Sequence, residues 1–315
     1  MLAFAVRRLL GMVLTLFGVS VTVFLIYFVI PGGDPAVRIA GRTATAQNIL
    51  NIREKLHLND HLWTQWYYMM RSLFQGTLVS YTDQTNVVQQ IKLGLPATFS
   101  LVIGSAIIWL FFGILVGTIS AITAGRLSDR VITVLALIGI SMPVFWIGII
   151  LRYVLAEQRS IFPDGGYVAL TSSPVEWFYH LILPWFTLAI LFIGFYGRVL
   201  RSNILDAINE DYVRTARAKG LSSRRVLIKH VLRNSLIPIV TLFGLDFGAV
   251  LGGGAILTET VYDLHGVGQY AAIAVTGLDL PPLIAVTMYG AFFIVTFSAL
   301  VDLAYAFLDP RIRPT

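Results

Sequence analysis

A chain of 315 residues with 57% hydrophobic and only 13% charged residues, at a mean hydropathy of +0.77, is not built as a soluble globule. Soluble domains carry roughly 45–50% apolar and about 25% charged residues. The lack of cysteine excludes a disulfide framework, thiolate metal sites and thiol chemistry. A net charge of +6 would suit nucleic acid in a soluble protein, but in a membrane protein basic residues first report orientation.

The expected fold class is an all-α membrane protein with six transmembrane helices. Crossing the hydrocarbon core takes about 20 apolar residues, and lipid offers no partner to backbone N–H and C=O groups, so each crossing is helical. In chain order the spans are 9–30, 97–123, 131–151, 181–197, 236–258 and 280–301, uncharged except for Asp246 in the fifth. The fourth is short and is expected to extend by a turn at either end. Pro143, Pro184, Pro238, Pro281 and Pro282 predict kinks or helix ends. Arg7 and Arg8 before the first apolar run imitate a secretory signal. The run is longer than a signal core of about 7–15 residues, though, and Pro-Gly-Gly-Asp-Pro follows it with no convincing small-residue cleavage site. It reads as a retained span.

Six spans place Arg7/Arg8, Arg126/Arg130, the basic run 198–233 and Arg311/Arg313 on one side. The connections 157–180 and 259–279 fall on the other, the first holding only Arg159 and the second no basic residue. Both termini are therefore expected in the cytoplasm. The organisation is a tail and first span over 1–30, an extracytoplasmic segment over 31–96, and a transmembrane core over 97–315 with a cytoplasmic loop at 202–235. Segment 31–96 carries six basic residues but is too long for the charge rule to weigh. Within it 46–57 reads as helical. Trp63, Trp66, Tyr67 and Tyr68 fit either an aromatic belt at headgroup level or a docking surface for an extracytoplasmic partner.

Loop 202–235 is the most informative stretch. Leu205, Ile208, Val213 and Ala216 recur at roughly helical spacing, as do Val226, Leu227, His230 and Val231. Gly220 separates the runs, where a positive φ would end the first helix, and Ser222 or Ser223 could cap the second. This basic helix–turn–helix has three readings. It could merely fix topology; it could be a DNA-binding motif, although its tether between two spans leaves a recognition helix no room; or it could be a rigid docking element for a soluble cytoplasmic partner. The third accounts best for its compactness.

Residues 214–238 resemble the signature loop of ABC-importer permeases, whose pattern is Glu-Ala-Ala, three residues, then Gly. Here Arg214-Thr215-Ala216 and Gly220 occupy those positions, so only the second Ala and the Gly are kept. The version "DYVRTARAKGL" followed by "LRNSLIP" resembles that of the dipeptide/oligopeptide/nickel permease family, in its B-type subunit. Supporting stretches are "PGGDPA", "LPATFSL", "SMPVFWIGI", "ILPWFTLAI", "GGGAILTETVYDLHGVGQ" and "DLAYAFLDPRIR". The likeness covers nearly the whole chain, most weakly over 36–92 and 157–177.

The resemblance implies a type I ABC-importer permease fold and import of di- or oligopeptides. It implies partnership with a second, homologous permease subunit in a heterodimer, two ABC ATPase subunits or domains, and an extracytoplasmic binding protein. Nickel-chelate, glutathione or sugar-oligomer cargo stays open. No cofactor is expected in this chain, with ATP and Mg bound by the ATPase partners, and no metal or nucleic acid. The residues agree in two ways. There is no Gly-x-x-x-x-Gly-Lys-Ser/Thr phosphate loop, and only Asp246 offers an ionisable group deep in a span for proton coupling. A membrane hydrolase would want a nucleophile and base within the spans. Neither Gly-x-Ser-x-Gly nor His-Glu-x-x-His occurs, and His57, His61, His180, His230 and His265 lie outside the spans or at their edges. A non-transporting scaffold is the remaining alternative.

Arg214, Thr215, Ala216, Arg217, Ala218, Lys219, Gly220 and Leu221 are the expected ATPase-docking and coupling residues. Ala216 and Gly220 would permit close approach, and Arg214, Arg217 and Lys219 would supply orienting rim charges. Asp246, among Gly244, Gly248 and 252–254, should face the bundle. It would either accept a hydrogen bond from a neighbouring span or subunit, or line the translocation path.

Overall fold

A computed structural model describes residues 2–26, 36–37, 45–55 and 57–308. Part of the first predicted span (27–30), the Pro-Gly-Gly-Asp-Pro stretch, and the C-terminal Arg311 and Arg313 lie outside the described residues. The described chain is helical, with one isolated antiparallel bridge between Val79 and Asn86. Among the described residues five helices are long and apolar enough to cross a membrane, and a bent pair makes a sixth crossing if counted as one span.

The helices are α1 (Leu2–Phe24), α2 (Ala46–Lys55), α3 (Leu62–Gln75), α4 (Val87–Ile122), α5 (Leu127–Ser141), α6 (Val144–Leu151), α7 (Pro174–Ala207), α8 (Asp211–Ala218), α9 (Ser223–Val226), α10 (Ile237–Ala249), α11 (Ile256–Val261), α12 (Val267–Thr276) and α13 (Leu280–Leu308). They form two compact units. One contains Met1–Thr98, Leu251–Ile256 and His265–Thr315; the other contains Phe99–Val250 and Leu257–Leu264.

In the first unit α1 packs along α13, and Arg8 near one terminus pairs with Asp302 near the other, so the two run antiparallel. At their other ends Val23, Phe24, Leu280 and Ile284 pack with Met70 of α3. Trp66 of α3 donates to Ser20 at 3.3 Å and meets Phe17 edge-on at 5.4 Å. Trp63, Tyr67 and Tyr68 are exposed; Trp63 meets Trp66 edge-on at 5.9 Å and Tyr67 meets Tyr68 at 5.8 Å, so the four aromatics lie in two contacting pairs while Trp66 also holds α3 to α1. Asp279, buried just before α13, accepts the Tyr81 and Thr82 backbone N–H groups and the Ser80 hydroxyl. Burial, and then the Asp279 charge, push the Tyr81 hydroxyl above its ordinary pKa. The α12 N-terminus has no cap of its own; the Thr98 hydroxyl accepts the Val267 N–H at 2.9 Å.

In the second unit α7 is the common neighbour. Ser173 caps it by accepting the Glu176 N–H, with Pro174 in the first turn, a local start signal that sets the helix going well before the apolar run at 181. Its 34 residues span about 51 Å, so its polar ends project beyond a hydrocarbon core of about 30 Å. A Cβ on Gly117 of α4 would lie 2.7 Å from the Gly197 carbonyl oxygen, and one on Gly194 the same distance from that of Ala136 in α5. Gly113-x-x-x-Gly117 thus lets α4 cross α7 at backbone distance.

The third predicted span is not straight. α5 and the helix formed by α6 with its π-helical continuation Arg152–Gln158 meet at 100°. Met142 is extended, as a residue before proline tends to be, and Pro143 has no N–H to continue the ladder. The fifth span is likewise modified. α10 passes into a wide turn, Val250–Gly254, where Gly253 has φ 139°. In the first unit Gly252 sits against Gly290 so closely that a Cβ on either would overlap the other's carbonyl oxygen.

Candidate functional site

In loop 202–235 the second run folds as one helical stretch, whereas the first is divided: Leu205 belongs to α7, residues 208–210 interrupt the helix, and Val213 and Ala216 lie on α8. Asp211 in the first turn of α8 and Arg217 in the last complement the helix dipole. Val213 and Ala216, three apart, turn inward and are buried. Gly220 has φ 77°. Its N–H donates to the Arg217 carbonyl at 2.9 Å and the Leu221 N–H to that of Ala216 at 3.4 Å, the paired bonds of a left-handed helix stop. α9 continues through the π-helical turn Leu227–Leu232 to Arg233–Ser235. That wide turn puts Val226 and Val231, five apart, on the same buried face.

Two details depart from expectation. Ser222 stands at the cap position of α9, but neither it nor Ser223 caps through its side chain. Ala216 is 5% exposed, so its small size serves packing within the chain. The outward set is Arg214, Thr215, Arg217, Ala218, Lys219 and Gly220, with Leu221 half-buried. Arg214 meets only the exposed Asp211 at 3.4 Å, a pair worth little in water. Arg217 and Lys219 are exposed as well.

Asp246 lies apart from this surface, on α10. The Tyr196 hydroxyl of α7 donates to its Oδ2 at 2.7 Å, and Tyr196 is itself buried. α7 carries the fourth predicted span and α10 the fifth, so this bond joins the two.

A second acid escaped the sequence reading. Asp129, in the first turn of α5, is buried between the basic Arg126 and Arg130 that the charge rule counts. Arg201 of α7 reaches it through two parallel bonds, Nε to Oδ1 and Nη2 to Oδ2, each 2.8 Å. The Ser120 hydroxyl and the Gly125 N–H complete the shell. The one local hint was an acid at a helix start inside a basic turn, a position the dipole favours.

Taken together, the long apolar helices, the close glycine crossings between them and an outward basic helix–turn–helix define a polytopic membrane protein. Residues 113–314 match the family described as binding-protein-dependent transport system inner membrane component, and residues 1–102 match the N-terminal part described for such membrane components. The chain belongs to this family and is a multi-pass protein of the bacterial inner membrane. It is 37% identical, over 98% of its length and 99% of the relative's, to a probable peptide ABC transporter permease protein of Sinorhizobium fredii. It is 35% identical to a probable D,D-dipeptide transport system permease protein of Escherichia coli, over 97% of this chain and 96% of that one. A glutathione transport system permease protein of E. coli is 36% identical over 99% of each. Among solved structures, an amino acid ABC transporter chain shares the fold at a TM-score of 0.53 and 17% identity, covering 70% of this chain and 94% of that one.

Proposed function

We propose that this chain is a membrane-spanning subunit of an ATP-driven importer that takes up di- or oligopeptides delivered by an extracytoplasmic binding protein. The observation that carries the reading is end-to-end similarity to peptide and dipeptide permeases, at 37% and 35% identity, with the basic helix–turn–helix folded and outward-facing. In this reading the chain pairs with a second, homologous permease subunit, and both termini and loop 202–235 face the cytoplasm, as lysine and arginine placement supports. The chain has no ATPase site of its own; two ATPase subunits or domains bind ATP with Mg and dock on 214–221. Their closure on ATP presses α8, and the spans rock between outward- and inward-open states, as alternating access requires. Segment 31–96 lies outside.

Glutathione is a second cargo reading, favoured by the 36% identity to the glutathione permease; it is itself a tripeptide, so both readings ask for a path that accepts peptide backbone. The test is affinity purification from the native membrane, mass spectrometry of the co-purified proteins, and uptake by the complex in proteoliposomes. An ATPase and a binding protein should co-purify, and labelled dipeptide should accumulate only with ATP and the binding protein. Accumulation without ATP sinks the reading, and saturation by glutathione but not by dipeptides replaces the cargo.

A further inference from the structure

The end of α7 that leads into α8 is tied on two sides. Arg201 and Asn203 lie within about three turns of Asp211, and, two residues apart, point about 200° away from each other around the helix. On one side Asp129 receives both arms of the Arg201 guanidinium at 2.8 Å. Its remaining acceptor positions take the Ser120 hydroxyl at 2.5 Å and the Gly125 N–H at 2.9 Å, so all four are used. One carboxylate therefore joins the end of α4, the left-handed turn at Gly125, the start of α5 and α7. On the other side the Asn203 amide donates to the Ser235 carbonyl at 3.3 Å, and the one Ser235 hydroxyl proton is shared between the Val231 carbonyl at 3.0 Å and the Asn203 carbonyl at 3.2 Å. That places the second tie just before α10.

Topology alone would not require this construction, because an exposed cation serves the charge rule as well. The Asp129 side chain is only 6% exposed, and a carboxylate so placed keeps its charge only with such a set of donors. A bidentate guanidinium–carboxylate pair also has a single planar geometry, which resists sliding and rotation together.

We propose that Arg201 and Asp129 are the positioning pair that hands displacement of α8 to the α4–α5 turn, while Asn203 and Ser235 hand it to α10. The proposal rests on the reading of α8 as the ATPase-coupling helix. A push on α8 moves the end of α7, and through these ties the flanking spans move with it.

The test uses the full complex in proteoliposomes, with ATP hydrolysis and solute uptake measured on the same sample. Asp129→Asn and Arg201→Gln should assemble and hydrolyse ATP, yet consume about tenfold more ATP per solute moved. Arg201→Lys keeps the charge without the fork and should fall between. The chain has no cysteine, so Asp129→Cys with Arg201→Cys, in cysteine-free partners, places two unique thiols at the tie. A short bifunctional methanethiosulfonate should restore the wild-type ratio, and reductant should abolish the rescue. Unchanged ratios, a parallel loss of hydrolysis and uptake, or a verified cross-link without rescue overturns the proposal. If Asp129→Asn does not assemble, the cysteine pair cross-linked in the membrane before purification decides by the same ratio. If the wild-type complex takes up solute without ATP, the coupling reading of α8 falls first and takes this proposal with it.

Discussion

The Tyr196 hydroxyl donates to Asp246 Oδ2 at 2.7 Å, so the one acid inside the fifth span is engaged by the fourth. Asp246→Leu leaves a buried hydroxyl without its acceptor, at a cost of about 1–3 kcal/mol. Asp246→Asn keeps an acceptor oxygen. The expected order of thermal stability in detergent is therefore wild type, then Asp246→Asn, then Asp246→Leu, with Tyr196→Phe down by about 1 kcal/mol. Uptake separates the two roles of the acid. Normal transport by Asp246→Asn favours a structural hydrogen bond, and normal assembly with selective loss of cargo bearing a free amino terminus favours the path.

Gly220 stands at φ 77° with no atom within 4 Å of where a Cβ would lie. Substitution there meets backbone strain rather than a clash, about 1–2 kcal/mol for most residues and less for asparagine. Gly220→Asn should hence transport nearly normally. Gly220→Val should insert and hydrolyse ATP but lose uptake, since a distorted turn redirects α9 relative to α8. Normal uptake by Gly220→Val would remove the turn from the coupling route.

Arg214, Arg217 and Lys219 are exposed, so each is expected to orient a docking ATPase more than to hold it. Single alanine variants should weaken association of the ATPase by about 0–1 kcal/mol each. The gap from wild type should narrow as salt rises, because screening removes what the charge contributed. A loss of several kcal/mol that ignores salt would mean that these side chains become buried on docking.

Close helix crossings respond to volume at particular glycines and not at others. A Cβ on Gly117 meets the Gly197 carbonyl oxygen at 2.7 Å, whereas Gly18 of α1 has nothing within 4 Å. Gly117→Leu should lower the yield and melting temperature of the protein. Gly18→Ala should be neutral or stabilising by up to about 1 kcal/mol, the helix propensity difference. Equal effects at the two sites would contradict the crossing of α4 and α7.

Much of this protein follows from its sequence alone, for reasons that are local. Hydropathy is a property of consecutive residues, so 9–30, 97–123 and 280–301 announce membrane helices without any knowledge of their neighbours. Backbone chemistry is local as well: Gly220 ends α8, and Pro143 breaks the third span. The angle of that break was not legible, and hydropathy misses the ends of α7, whose start is marked instead by the capping signal Ser173–Pro174. What tertiary structure alone decided is which face of each helix meets which neighbour. Asp129 and Arg201 are both charges on the basic side, and only the rotation of α5 and α7 makes them a pair. Tyr196 is one aromatic among many until α10 sets Asp246 beside it, and Ala216 could face a partner or the chain itself until folding buries it. Rotation and register about a helix axis are set by packing against other helices, and composition, which is the same for every rotation, does not encode them.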